Sequence, residues 1–144
     1  MRGGRLAVVL ALLASPLALQ AQGAESPEAL GDLAARAWTR QDAGALGALL
    51  APDGITLRLE GQGHSGVSAR QARASLASFL DRHEPGEARV RRAAALGGDP
   101  PRGMVELEWT TAPRGTREPV RFVIFLGLTR VGDRWRVVEI RVLS

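Results

Sequence analysis

The chain has 144 residues, 19 basic and 15 acidic side chains, and no cysteine. The missing cysteines exclude disulfides, thiolate metal sites, thiol nucleophiles and cysteine-linked lipids; every basic residue is arginine, which leaves no lysine for a Schiff base. Setting aside Arg2 and Arg5 of the leader described next, 17 basic residues face 15 acidic ones, a net of +2, too even a balance to suggest a nucleic-acid partner.

Arg2 and Arg5 precede an apolar run from Leu6 to Ala14, broken by Ser15-Pro16 and followed by small residues at Ala18, Ala21 and Ala24. This is the pattern of a secretory signal. The run is shorter than the roughly 20 apolar residues that a membrane-spanning helix needs, and Pro16 with the small residues fits cleavage better than a retained anchor. The expectation is cleavage after Ala21, with Gly23 as the alternative, export to the periplasm or beyond, and no stable membrane insertion afterwards. Residues 1–21 are then the signal, 22–26 a short extension and 27–144 one domain, long enough for a single core.

Ser26-Pro27-Glu28 reads as a helix start, with Ser26 as cap, Pro27 at the first helical position and Glu28 at the positive end. Leu30, Leu33, Ala34, Ala37 and Trp38 follow at helical spacing. A second short helix after Asp42 presents Leu46, Leu49 and Leu50, and Pro52-Asp53-Gly54 turns the chain. Ile55, Leu57 and Leu59 alternate with polar residues as a half-buried strand does.

Residues 61–85 read as the end of that strand, a tight glycine turn and a capped third helix. Ser68 and Gln71 have capping-box spacing, and Ala72, Leu76, Phe79, Leu80 and His83 form its apolar face before Pro85-Gly86 ends it. Four strands follow: one near 88–96; one placing Val105, Leu107, Trp109 and Thr111 opposite Glu106, Glu108 and Thr110; one over Val120–Arg130; and one over Arg134–Leu143 after a Gly132-Asp133 hairpin turn. Phe122 to Leu126 is apolar on both faces, which suits a central strand covered twice or paired in an interface. The expected fold is α+β, three early helices on a curved, mostly antiparallel sheet in the order α-α-β-α-β-β-β-β.

The chemistry-bearing residues are sparse. His64 lies between Gly63 and Ser65, where it could serve as a general base oriented by Asp53 or Glu60; the plainer expectation is a turn histidine that faces no cavity. His83 falls in the last helical turn, where a cation suits the negative helix end. The two histidines show no metal-ligand spacing, Gly63-His64-Ser65-Gly66 is not a nucleophile elbow, and Gly61-x-Gly63-x-x-Gly66 lacks the βαβ unit that a dinucleotide fingerprint requires. No metal or cofactor is implied. Glu106 and Glu108 are placed to meet Arg121 on one neighbouring strand and Arg89 or Arg91 on the other.

Trp38 to Leu46 with Leu50-Ala51-Pro52-Asp53, and the ending Gly132-Asp133-Arg134-Trp135-Arg136-Val137-Val138-Glu139-Ile140-Arg141, resemble the nuclear transport factor 2-like superfamily. This is the cystatin-like α+β roll that includes ketosteroid isomerase and SnoaL-type cyclases. The likeness covers about residues 27–143, and residues 64–85 resemble a small exported bacterial branch of unknown function. It implies a conical pocket lined by Trp38, Leu57, Phe79, Trp109 and Phe125 that could take a small apolar ligand, and an acid near Asp53. The chain has no tyrosine, so the tyrosine-based oxyanion site of the isomerases does not carry over. The expected function is a non-catalytic small-ligand-binding or interaction and dimerisation module, its homodimer formed through the sheet; the alternative is a small cofactor-independent isomerase, cyclase or hydratase.

Overall fold

A computed structural model describes residues 23–144; the signal read in residues 1–21 lies outside them. The element order is α1 (Pro27–Thr39), α2 (Ala43–Ala48), β1 (Ile55–Leu59), β2 (Gln62–Val67), α3 (Ala69–Asp81), β3 (Ala88–Gly97), β4 (Arg102–Thr111), β5 (Val120–Val131) and β6 (Arg134–Leu143). The strands form one open sheet in the order β2-β1-β6-β5-β4-β3. Only β1–β6 is parallel; the other neighbours are antiparallel. The helices cover one face, with α1 over β3 and β4 and α3 over β1.

Each helix starts where its capping residues dictate. Ser26 Oγ accepts from the Ala29 amide at 3.0 Å, and Asp42 Oδ1 from the Ala45 amide at 2.9 Å. Ser68 and Gln71 form the complete capping box, at 3.2 and 3.3 Å. The apolar faces are buried as the spacing requires, with one exception: Leu33 is 40% exposed because it falls off the stripe defined by Leu30, Ala34 and Trp38.

The structure adds a strand. Residues 62–67 are not a turn but β2, paired antiparallel with β1. The turn sits earlier, at Glu60 (φ 49°) and Gly61 (φ 82°), a two-residue connection whose positive φ values match the twist of a hairpin. The strand is invisible to hydrophobic patterning because five of its six residues are exposed. Nothing covers them, so nothing selects alternating apolar side chains.

Among the described residues no helix is long and apolar enough to cross a membrane.

Candidate functional site

Where the sheet and helices meet, rings fill the space. Trp38 of α1, Phe79 of α3, Trp109 of β4 and Phe122 of β5 are at most 1% exposed. Trp38 meets Trp109 edge-on at 5.8 Å, Phe79 meets Phe122 at 5.9 Å, and Trp109 stacks on Phe122 at 5.4 Å. Each such pair contributes about 0.5–1.5 kcal/mol beyond its area burial.

His83 completes the cluster, as its place on the apolar face of the third helix beside Phe79 and Leu80 allows. It is 6% exposed, with ring centroids at 4.7 Å from Phe79 and 5.3 Å from Trp109 and Phe122. Its Nδ1 lies 2.8 Å from the Phe79 carbonyl oxygen; a carbonyl only accepts, so Nδ1 carries the proton.

The chain leaving α3 is stitched to the β4–β5 connection. The Glu84 amide donates to the Ala112 carbonyl at 2.8 Å, the Arg114 amide to Arg82 at 2.8 Å, and Trp109 Nε1 to the Gly86 carbonyl at 3.1 Å. Thr111 Oγ1 donates to the Glu84 carbonyl. Gln41 Nε2 reaches across from the end of α1 to the Leu80 and His83 carbonyls, both at 3.0 Å, which satisfies acceptors that a helix end leaves open.

Of the five residues expected around a pocket, Trp38, Phe79 and Trp109 are therefore brought together, packed on one another. Leu57 is buried beside α3 and reaches an open cleft. Phe125 does not join them: on β5, Phe122, Ile124 and Leu126 face the helices, and Phe125 faces the opposite side.

On the helix side, two adjoining clefts of about 540 and 520 Å³ lie between α3 and the β1–β2 hairpin. Both include Leu57, His64, Ala74 and Ser75. The first continues to Glu60, Gln62, Ser78 and Arg82, the second to Ser65, Val67 and Gln71. His64 thus does face a cavity, against the expectation of a histidine that faces none, because the residues around it form a strand beside α3 rather than a corner. Glu60 lines the same cleft, while Asp53 stands exposed in its turn and does not. No hydrogen bond or ion pair links His64 to Asp53 or Glu60 among the described residues. Ser75, Ser78 and Arg82 were not singled out from sequence. Their only signal is helical spacing along α3, which any solvated helix face shares.

The far side of the sheet carries a third concavity, about 490 Å³, bordered by Thr56, Leu96, Phe125, Gly127, Val138 and Glu139. The Arg141 guanidinium lies 4.5 Å from the Phe125 ring centroid, and its Nε is 3.0 Å from Glu139 Oε1. Arg91 and Arg121 flank Glu108 at 3.6 and 3.7 Å, both diagonally, since the register sets Arg89 and Val123 directly opposite it. These pairs are well solvated and contribute at most about 1 kcal/mol each.

No protein-family model and no curated protein matches the chain. Solved structures do. A DUF4783 family protein from Bacteroides uniformis superposes with a TM-score of 0.64 at 19% identity, covering 77% of this chain and 93% of that one. A protein with a ketosteroid isomerase-like fold from Catenulispora acidiphila, in complex with trimethylamine, gives 0.59 at 21% identity, covering 78% and 82%. A de novo designed protein with a curved β-sheet gives 0.56 at 21%, covering 78% and 94%. The chain therefore has the nuclear transport factor 2-like fold. At these identities the likeness describes fold alone, and one fold hosts many functions.

Proposed function

We propose that this chain is an exported, non-catalytic interaction module that pairs with a second copy through the outer face of its sheet. One observation carries the reading: Phe125, the aromatic side chain that the core does not absorb, sits half-buried at the centre of that face. The interior where this fold would hold a small ligand is filled by rings, so binding falls to surfaces.

The face carries charges of both signs: Arg141 is paired with Glu139, and Glu108 with Arg91 and Arg121, within one copy, while Glu106 and Arg58 make no ion pair among the described residues. β4 carries Glu106 and Glu108 on one side of β5, while β6 and β1 carry Arg141 and Arg58 on the other. A two-fold axis along β5 lays β4 of one copy over β6 of the other, acids against arginines. Such an isologous arrangement is the commonest route to a dimer.

The test is the solution mass of the chain beginning at Gln22, by light scattering. The expected species is a dimer, and Phe125→Glu is expected to yield a monomer with an unchanged far-ultraviolet spectrum. A wild-type monomer at high concentration would contradict the reading.

A second reading keeps one supporting observation, the joint placement of His64, Glu60 and Gln62 on the first cleft. There a small ligand or substrate would bind with His64 as base. Screening the same sample against hydrophobic probes and metabolites separates the two.

A further inference from the structure

The sheet has two edges, and they differ in chemistry. β3 carries Arg89, Arg91 and Arg92 along its length, and charged residues discourage another strand from pairing there. β2, Gln62-Gly63-His64-Ser65-Gly66-Val67, carries no acidic or arginine side chain and pairs with β1 alone.

Its free edge has a defined set of backbone groups. In the register Leu57↔His64, Arg58↔Gly63, Leu59↔Gln62, closed by a two-residue turn, Gln62 and His64 exchange hydrogen bonds with β1. A trans peptide sets each carbonyl opposite the next amide. The Gly63 and Ser65 amides and the Gly63 carbonyl therefore point outward, away from β1.

Beside this edge run the two clefts, with His64 common to both. Gln71, Ala74, Ser75, Ser78 and Arg82 line them from α3. From Gln71 to Arg82 the helix rises about 16 Å, the length of roughly five residues of extended chain. Side chains two positions apart on such a chain point the same way, one for each cleft. The second cleft offers Leu57, Val67 and Ala74, an apolar seat. The first offers Arg82, which is held over the Phe79 ring at 5.8 Å and makes no ion pair with a carboxylate of the described residues. Arg70 and Arg73 on the same helix add to the positive field, against Glu60 in the hairpin turn.

We propose that β2 captures an extended acidic peptide by strand addition, its backbone bonding to Gly63 and Ser65 while an apolar side chain enters the Val67–Ala74 cleft and an acidic one, two residues away, meets Arg82. Main-chain bonds supply affinity and the alternate pockets supply specificity. The site is separate from the outer sheet face and does not depend on pairing there.

The probe is a fluorescein-labelled peptide, Val-Thr-Glu-Thr-Val, measured by anisotropy against the chain from Gln22 onward. It is expected to bind at least tenfold more tightly than the same peptide with lysine for glutamate. Methylation of its alternate backbone nitrogens should abolish binding, Arg82→Gln should weaken it about tenfold, and Glu60→Gln should strengthen it. Amide resonances of Gly63 and Ser65 should shift on titration. Phe125→Glu should leave all of this unchanged, which separates this site from the dimer face. Equal binding of the methylated peptide, no binding at millimolar concentration, or a peptide-independent dimer that Gly63→Pro converts to monomer would each overturn the proposal; the last would assign the edge to a second copy.

Discussion

The two histidines beside α3 mark opposite physical regimes. His83 ends the helix inside a cluster of rings, with a hydrogen bond to Phe79 and its backbone carbonyl held by Gln41. His64 faces the outer side of α3, from Gln71 to Arg82, across open clefts, on a strand exposed over nearly its whole length. One region is over-determined by packing and stitched backbone; the other is open, with outward amides and an Arg82 that makes no ion pair among the described residues. The contrast places stability at the closed end and leaves the open one free to move.

The largest expected effect comes from breaking the closed end at Gly86. A Cβ on that residue would overlap the Thr110 carbonyl oxygen and crowd the Thr111 Cα. Backbone, unlike a flexible side chain, cannot step aside, so the segment that carries the Trp109 bond to Gly86 must move. Gly86→Ala is expected to cost roughly 3 kcal/mol or more, read as a large fall in melting temperature by circular dichroism. A shift of only a degree or two would mean that the stitching is dispensable.

The same substitution at the two histidines sharpens the comparison. His83→Ala opens a cavity among three rings and removes a buried hydrogen bond, an expected loss of about 2–4 kcal/mol in urea unfolding. His64→Ala removes an exposed side chain without intramolecular partners and should change stability by no more than about 0.5 kcal/mol. Similar losses at both would refute the division between a closed and an open end.

That division is only half legible in the sequence. Capping boxes, apolar stripes and hairpin turns are local signals, and the helices, β1 and the last four strands follow from them. The ring cluster is not local: Trp38, Phe79, Trp109 and Phe122 come from four elements, and spacing on each shows only that it is buried somewhere. Phe125 is ambiguous for a related reason. A strand apolar on both faces does not reveal which face meets the helices, and here Phe122, Ile124 and Leu126 take the core while Phe125 is turned outward. β2 escapes because an uncovered edge strand has no pattern to read, and with it went the cleft and the placement of His64.

A modest gain, rather than a loss, is expected at the turn that creates this open end. Glu60 holds φ 49°, in a region that costs an L residue with a Cβ roughly 1–2 kcal/mol and that asparagine enters more readily. Two-residue hairpin turns of this kind favour Asn-Gly, and Gly61 already supplies the second position. Glu60→Asn should therefore stabilise the chain by about 0.5–1 kcal/mol, seen as a higher urea midpoint with an unchanged slope. A stabilised hairpin that still binds peptide would show that the glutamate is retained for neither folding nor ligand contact. A hairpin that is not stabilised would show that the Glu60 side chain contributes an interaction offsetting its backbone cost.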